Sequence, residues 1–146
     1  MNVRTFALIY GIVFTVVGVA GFIPGLLSPH DSVEHALTIE RGAGNLFGLF
    51  PVNMLHNLVH VAFGVWGLGA SRGMSLATVY ARSVAVTYAA LTVMGLIPGF
   101  DTLFGLVPLH GNDIWLHALL AAGAGYFGFI WHDQPEPANR PAARGT

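Results

Sequence analysis

The sequence predicts an all-α integral membrane protein, a four-helix transmembrane bundle built from two tandem helix-loop-helix repeats. Three observations lead there. First, only 9% of the 146 residues are Asp, Glu, Lys or Arg, against roughly 25% in soluble domains. Second, the charges are segregated, leaving uncharged runs of 26 residues (Thr5–His30), 30 (Gly42–Ser71), 18 (Ser83–Phe100) and 18 (Ile114–Trp131). Each run approaches or exceeds the roughly 20 apolar residues that a helix needs to cross a bilayer core. Third, glycine, proline and histidine motifs recur in the same order in both halves of the chain.

The spans are placed at about Phe6–Leu26, Asn53–Ala70, Leu76–Ile97 and Asp113–Trp131. Pro24-Gly25 and Pro98-Gly99 punctuate the ends of the first and third, because proline cannot continue the helical ladder and glycine permits the turn. Between the first two spans, Ser28 as cap, Pro29 at the first position and Asp31 in the first turn predict a short loop helix. Arg4, Arg72, Arg82, Arg140 and Arg144 fall on one side of the bilayer, with Arg41 alone on the other beside most of the acidic residues. The positive-inside rule then puts both termini in the cytoplasm, and Arg82 snorkels to the inner interface as a topology anchor. Trp66, Trp131, Tyr10, Tyr80 and Tyr126 fall toward the inner ends of the spans and Trp115 toward the outer, the placement of an interfacial aromatic belt. Residues 1–132 form one membrane domain, and the Pro-rich polar tail, 133–146, is expected to be disordered.

The repeat is read from four matches in order. GFIPG (Gly21–Gly25) answers GLIPG (Gly95–Gly99), and LFGLFP (Leu46–Pro51) answers LFGLVP (Leu103–Pro108). MLH (Met54–His56) answers WLH (Trp115–His117), after which Gly64 falls on Gly125 and Gly67 on Gly128 without a gap. Repeat one covers about residues 5–71 and repeat two about 76–131. Both copies begin on the same side, so the pseudo-two-fold axis runs along the membrane normal; inverted repeats, the common signature of alternating access, are not seen.

Several function classes drop out. Six Arg, no Lys and a net charge of −1 provide no basic patch, so nucleic acid is not an expected partner. Without cysteine there is no disulfide, thiolate metal site or cysteine nucleophile. No phosphate-binding glycine loop, HExxH or nucleophile elbow is present, so the chain leans away from catalysis. The first uncharged run outruns a signal-peptide core, and the first span is expected to remain in the mature protein. The lone Gln, absent Lys and plentiful Ala and Gly fit a GC-rich bacterial genome, hence a bacterial inner-membrane location. The bilayer is the expected partner, together with further copies or a larger membrane complex.

Polar residues gather where the second helix of each repeat begins: Asn53, His56 and His60 in one copy, His110, Asn112, Asp113 and His117 in the other. His56 and His60 are four apart, as are Asp113 and His117, so each pair shares a helical face. Gly64 and Gly67 continue one face and Ala121, Gly125 and Gly128 the other, small residues that let membrane helices approach. Three readings remain open. In the structural one, Asn53 and Asp113 cap their helices and the histidines bond to loop backbone or across the bundle. In the second, His56, His60, Asp113 and His117 hold a transition metal (Zn, Cu or Fe), with Asn53 and His110 in support. In the third, His56 and His117 form a symmetric axial pair for haem b, or flank a quinone. His30, Glu34 and His35 could add ligands from the first loop, whereas His132 falls on the opposite side. The function expected is a non-enzymatic accessory or ligand-binding membrane subunit with its site at the outer ends of the second and fourth helices; a metal- or haem-binding redox protein is the alternative.

At LFGLFPVNMLHNLVHVAFGVWGL and TLFGLVPLHGNDIWLHALLA the sequence resembles a family of small four-helix bacterial membrane proteins catalogued as a domain of unknown function. The resemblance covers nearly the whole chain through about Trp131. It implies four spans, and it supplies no catalytic residues.

Overall fold

Asn2 opens the fold by accepting a hydrogen bond from the Thr5 N–H at 2.9 Å, the cap from which α1 (Val3–Ala20) runs. The computed structural model describes residues 1–29 and 37–131. Three helices follow: α2 (Met54–Ala70), α3 (Met74–Leu96) and α4 (Asn112–Gly125), the last continuing into a π-helical turn at Tyr126–Ile130. Val3–Ala20, Met74–Leu96 and the joined Asn112–Ile130 are long and apolar enough to cross a membrane. With 17 residues α2 is shorter, at the lower edge of the roughly 17–25 that serve as a span.

The helices pack as antiparallel pairs, α1 on α2 and α3 on α4, with α1 also lying against α3. Glycine sets the first contact. A Cβ at Gly11 would stand 2.6 Å from the Leu68 nitrogen and 2.9 Å from the Gly67 carbonyl carbon, so the two backbones touch there. The core between the pairs is built from Phe6, Phe14, Tyr80, Val84 and Tyr88. Outward, α1 presents Leu8, Ile9, Ile12, Val13 and Val16, all exposed and apolar. A helix apolar on both sides belongs where its outer face also meets a nonpolar medium.

Two arginines tie helix ends together. Arg4 Nε donates to the Ser71 carbonyl at 2.9 Å, joining α1 to the α2–α3 turn. Arg82 Nε donates to the Gly128 carbonyl at 2.7 Å, inside the π-helical turn, and its guanidinium sits 5.3 Å from the Phe129 ring centroid. A cation thus serves the carbonyl end of the last helix.

Several expectations are corrected. The architecture is mostly helical but not all-α: the first long loop contains a small antiparallel sheet of β1 (Leu27–Ser28), β2 (Gly44–Leu46) and β3 (Phe50–Val52). A three-residue connection, Phe47-Gly48-Leu49, joins β2 to β3, with Phe47 at φ 53° and Gly48 at φ 71°. Left-handed backbone turns the chain through a hairpin where a helix cannot propagate. In the second loop Phe104 and Gly105 take the same left-handed conformation, φ 59° and 84°. Helix α1 stops at Ala20, not Leu26, because Gly21 takes the cap position and donates back to Val17, Phe22 donates to Val19, and Asn57 Nδ2 donates to the Gly21 carbonyl at 2.8 Å; Pro24–Leu26 forms only a 3₁₀ turn. Ser28 closes β1, and the remainder of the expected loop helix falls at 30–36, outside the described residues, as does the tail from His132. Tyr80 does not face outward as a belt residue would, and Tyr10 is half-buried. Tyr80 is fully buried against Trp66, and Tyr10 donates to the Leu120 carbonyl at 3.3 Å.

The two long loops are sewn to each other. The Thr38 N–H donates to the Gly105 carbonyl at 2.8 Å, and Asn112 Nδ2 to the Leu49 carbonyl at 3.3 Å. Asn53 makes the central stitch. Its Nδ2 donates both to Ile39 O at 3.0 Å and to Leu106 O at 2.7 Å, while its Oδ1 accepts from the His56 N–H at 2.9 Å to cap α2.

Candidate metal centre

The first turns of α2 and α4 meet beneath these loops and bring the sequence-predicted polar residues together. His56 is 4% exposed, His60 6%, Asp113 2% and His117 1%. The Asn53 cap fixes the turn that carries His56. Asp113 does not cap α4, contrary to the structural reading. Gly111 holds the cap position with no side-chain bond, Asn112 starts the helix, and the Asp113 carboxylate turns inward to the imidazole one turn on. Its Oδ2 lies 3.4 Å from His117 Nε2, long for a hydrogen bond but close for a pair of would-be ligands.

One ligand atom each from His56, Asp113 and His117 lies within 4.8 Å of the other two. Ligands at about 2.1 Å from one ion stand roughly 3–3.4 Å apart. Side-chain adjustment of little more than an ångström therefore completes the contacts. His56 Nδ1, Asp113 Oδ2 and His117 Nδ1 are buried and meet no hydrogen-bond partner among the described residues. Buried polar atoms are normally paired, so an unpartnered polar atom on each of three neighbouring side chains calls for a ligand or a water. The Pro51 carbonyl lies within reach of the His56 ring, the one backbone partner there that the structural reading anticipates.

His60 stands beside this set without entering it. Its ring packs 4.6 Å from that of His56, and its Nδ1–H donates to the His56 carbonyl at 3.2 Å. That bond fixes the tautomer, leaving Nε2 with a lone pair. The symmetric pair expected at His56 and His117 does approach, with ring centroids 6.1 Å apart. Asn53 is committed to its cap and loop bonds, and His110 is partly buried in the loop before α4, outside the converging set. His30, Glu34, His35 and His132 lie outside the described residues.

Tyr88 was not anticipated. Its ring meets His117 edge-on at 4.9 Å and lies 6.5 Å from His60. The signal was available: Ala77, Tyr80, Ala81, Val84 and Tyr88 repeat at helical spacing and form the buried stripe of α3. Asn57, buried and bonded to Gly21, was hidden because a single amide next to His56 has no period of its own.

Because α2 and α4 do not pack closely on each other, space remains beside the histidines. One cavity, about 190 Å³, lies on the α1 and hairpin side and touches His56, His60 and Asp113. A second, about 180 Å³, lies toward α3 and touches His56, His60 and His117. The other lining residues of both are almost all aliphatic or aromatic.

No curated protein and no solved structure matches the chain. A family model matches residues 4–130, and the chain belongs to the family described as a domain of unknown function (DUF4383).

Proposed function

We propose that this is a multi-pass membrane protein of two tandem helix-loop-helix repeats, with α2 as its fourth span, that binds a transition-metal ion through His56, Asp113 and His117. The carrying observation is the convergence of three buried ligand atoms within 4.8 Å, from groups with unsatisfied polar atoms. Two imidazoles and a carboxylate suit zinc, copper or iron, and the carboxylate offsets part of the charge of a divalent ion in a poorly solvated place. His60, whose ring packs 4.6 Å from that of His56, offers Nε2 as a further donor. Neither cavity reaches the roughly 300–1,000 Å³ of a typical small-molecule pocket, which favours a bare ion over haem or a quinone. The matching left-handed Phe-Gly turns at Phe47-Gly48 and Phe104-Gly105 support the repeat. The role is binding, at the end of the bundle that the arginine bias puts outside.

Elemental analysis of detergent-purified protein after supplementation with zinc, copper or ferrous iron tests the reading. The expected result is one ion per chain. Removing an outer-shell partner of a bound metal typically costs 10–100-fold in affinity, so His56→Ala, His117→Ala and Asp113→Asn should each cost about 100-fold or more. A folded wild-type protein that retains none of these metals, or variants that retain it unchanged, would refute the proposal and leave a structural role for the histidines.

A further inference from the structure

We infer that the ion is ferrous iron and that its open coordination positions take up a small neutral diatomic molecule, of the dioxygen or nitric oxide class, from the apolar cavity facing α3. The inference rests on the metal reading above and adds the identity of the ion and its exogenous ligand. Two imidazoles and one carboxylate on a single ion leave coordination positions unfilled, and that donor set is the one typical of non-haem ferrous sites that bind oxygen. Here His56 and His117 supply the imidazoles and Asp113 the carboxylate.

What fills the open positions depends on what can reach them. His56 and His117 both border the cavity of about 180 Å³, whose remaining wall is chiefly Val59, Leu91, Leu103, Val107 and Leu109. A cavity of this size walled mainly by aliphatic side chains accepts small apolar guests such as xenon or benzene. A hydrated anion would have to shed its water while crossing the aliphatic wall, before it reached the charge of the ion, which is costly. A diatomic gas loses almost nothing on entering. Val59 is also exposed on the outer face of α2, so the cavity wall is reached from the medium around the helices. Tyr88 holds the His117 ring edge-on from the same wall, and with Thr87 it brings the hydroxyl groups of this cavity. Binding is coordination of an intact neutral molecule, with no bond in it broken.

The test uses the full-length protein in detergent, loaded anaerobically with ferrous iron and titrated with nitric oxide. Iron content is measured separately from the iron–nitrosyl EPR and visible absorption signals. The expected result is one nitric oxide per iron. Val107→Phe, which fills the cavity, should keep the iron and weaken nitric oxide binding at least tenfold. Val59→Phe fills the same space from the exposed side of α2 and serves should Val107→Phe not fold. Leu116→Phe, in the other cavity, should leave nitric oxide affinity unchanged. Iron bound without nitric oxide, or nitric oxide binding indifferent to both filling variants, overturns this inference and leaves the metal reading standing. Stoichiometric zinc or copper with no affinity for iron does the same. Failure to bind any metal overturns both.

Discussion

Asn53 tests whether the loops and the site form one structure. Three hydrogen bonds meet at a side chain with 0% exposure: the cap on the His56 N–H, and donations to the Ile39 and Leu106 carbonyls. Asn53→Ala loses the cap, worth about 1 kcal/mol. It also leaves two loop carbonyls without their donor, at about 1–2 kcal/mol each. The total, about 3–5 kcal/mol, is a large share of the roughly 5–15 kcal/mol that holds a domain folded. The discriminating variant is Asn53→Asp. Asp caps a helix about as well as Asn, so a residue that only caps would tolerate the change. Here the new carboxylate would face two carbonyl oxygens, and Asn53→Asp should be at least as destabilising as Asn53→Ala. Asn53→Ser, which keeps a capping oxygen without the second carbonyl-facing group, should recover about 1 kcal/mol relative to Ala. Reversible unfolding in mixed micelles with increasing denaturing detergent measures all three. Asn53→Asp within about 0.5 kcal/mol of wild type would refute the stitching role.

Other positions give sharper contrasts. Gly11→Ala should destabilise by about 1–3 kcal/mol in the same unfolding assay, since its new methyl meets the backbone of Gly67 and Leu68, which cannot move aside. Gly69→Ala, on the same helix pair but facing open space, should instead be neutral or stabilise by up to about 1 kcal/mol. Arg82→Ala should cost about 1.5–3 kcal/mol through loss of a charge-assisted bond to Gly128, and Arg82→Lys should recover only part of it. Reporter fusions placed after Arg72 and in the tail should both score cytoplasmic; an external signal at either defeats the four-span topology.

The helices were legible because charge is excluded from long runs, a signal that a bilayer imposes on every residue at once. Local punctuation was less reliable. Pro24 suggested a helix end near Leu26, yet α1 ends at Ala20 because Asn57, far along the chain, takes the Gly21 carbonyl. The hairpin at Phe47-Gly48 was invisible to period counting, since its strands are three residues long and its turn uses a phenylalanine at positive φ. Spacing correctly put His56, Asp113 and His117 on facing surfaces, but it could not separate a capping aspartate from an inward one. That choice depends on Gly111, whose left-handed backbone starts α4 before Asp113 and leaves the carboxylate free to turn toward His117. Nor could it show that His60 would spend its Nδ1 proton on the carbonyl of His56.

The bonds from Thr38 to Gly105, from Asn53 to both loops and from Asn112 to Leu49 mean that neither loop can lift alone. Segments joined in this way open as one cooperative unit, with a single free energy shared by their amides. Amide hydrogen exchange should then slow together for Thr38, His56 and Leu109, residues far apart in the chain. A motion that separates the two loops must break the seam, whereas passage between α2 and α3 breaks none of it. Under the proposed metal reading, the seam therefore leaves lateral routes to the site, past Val59 and Leu91 or past Val17 and Phe47, that cost none of its hydrogen bonds.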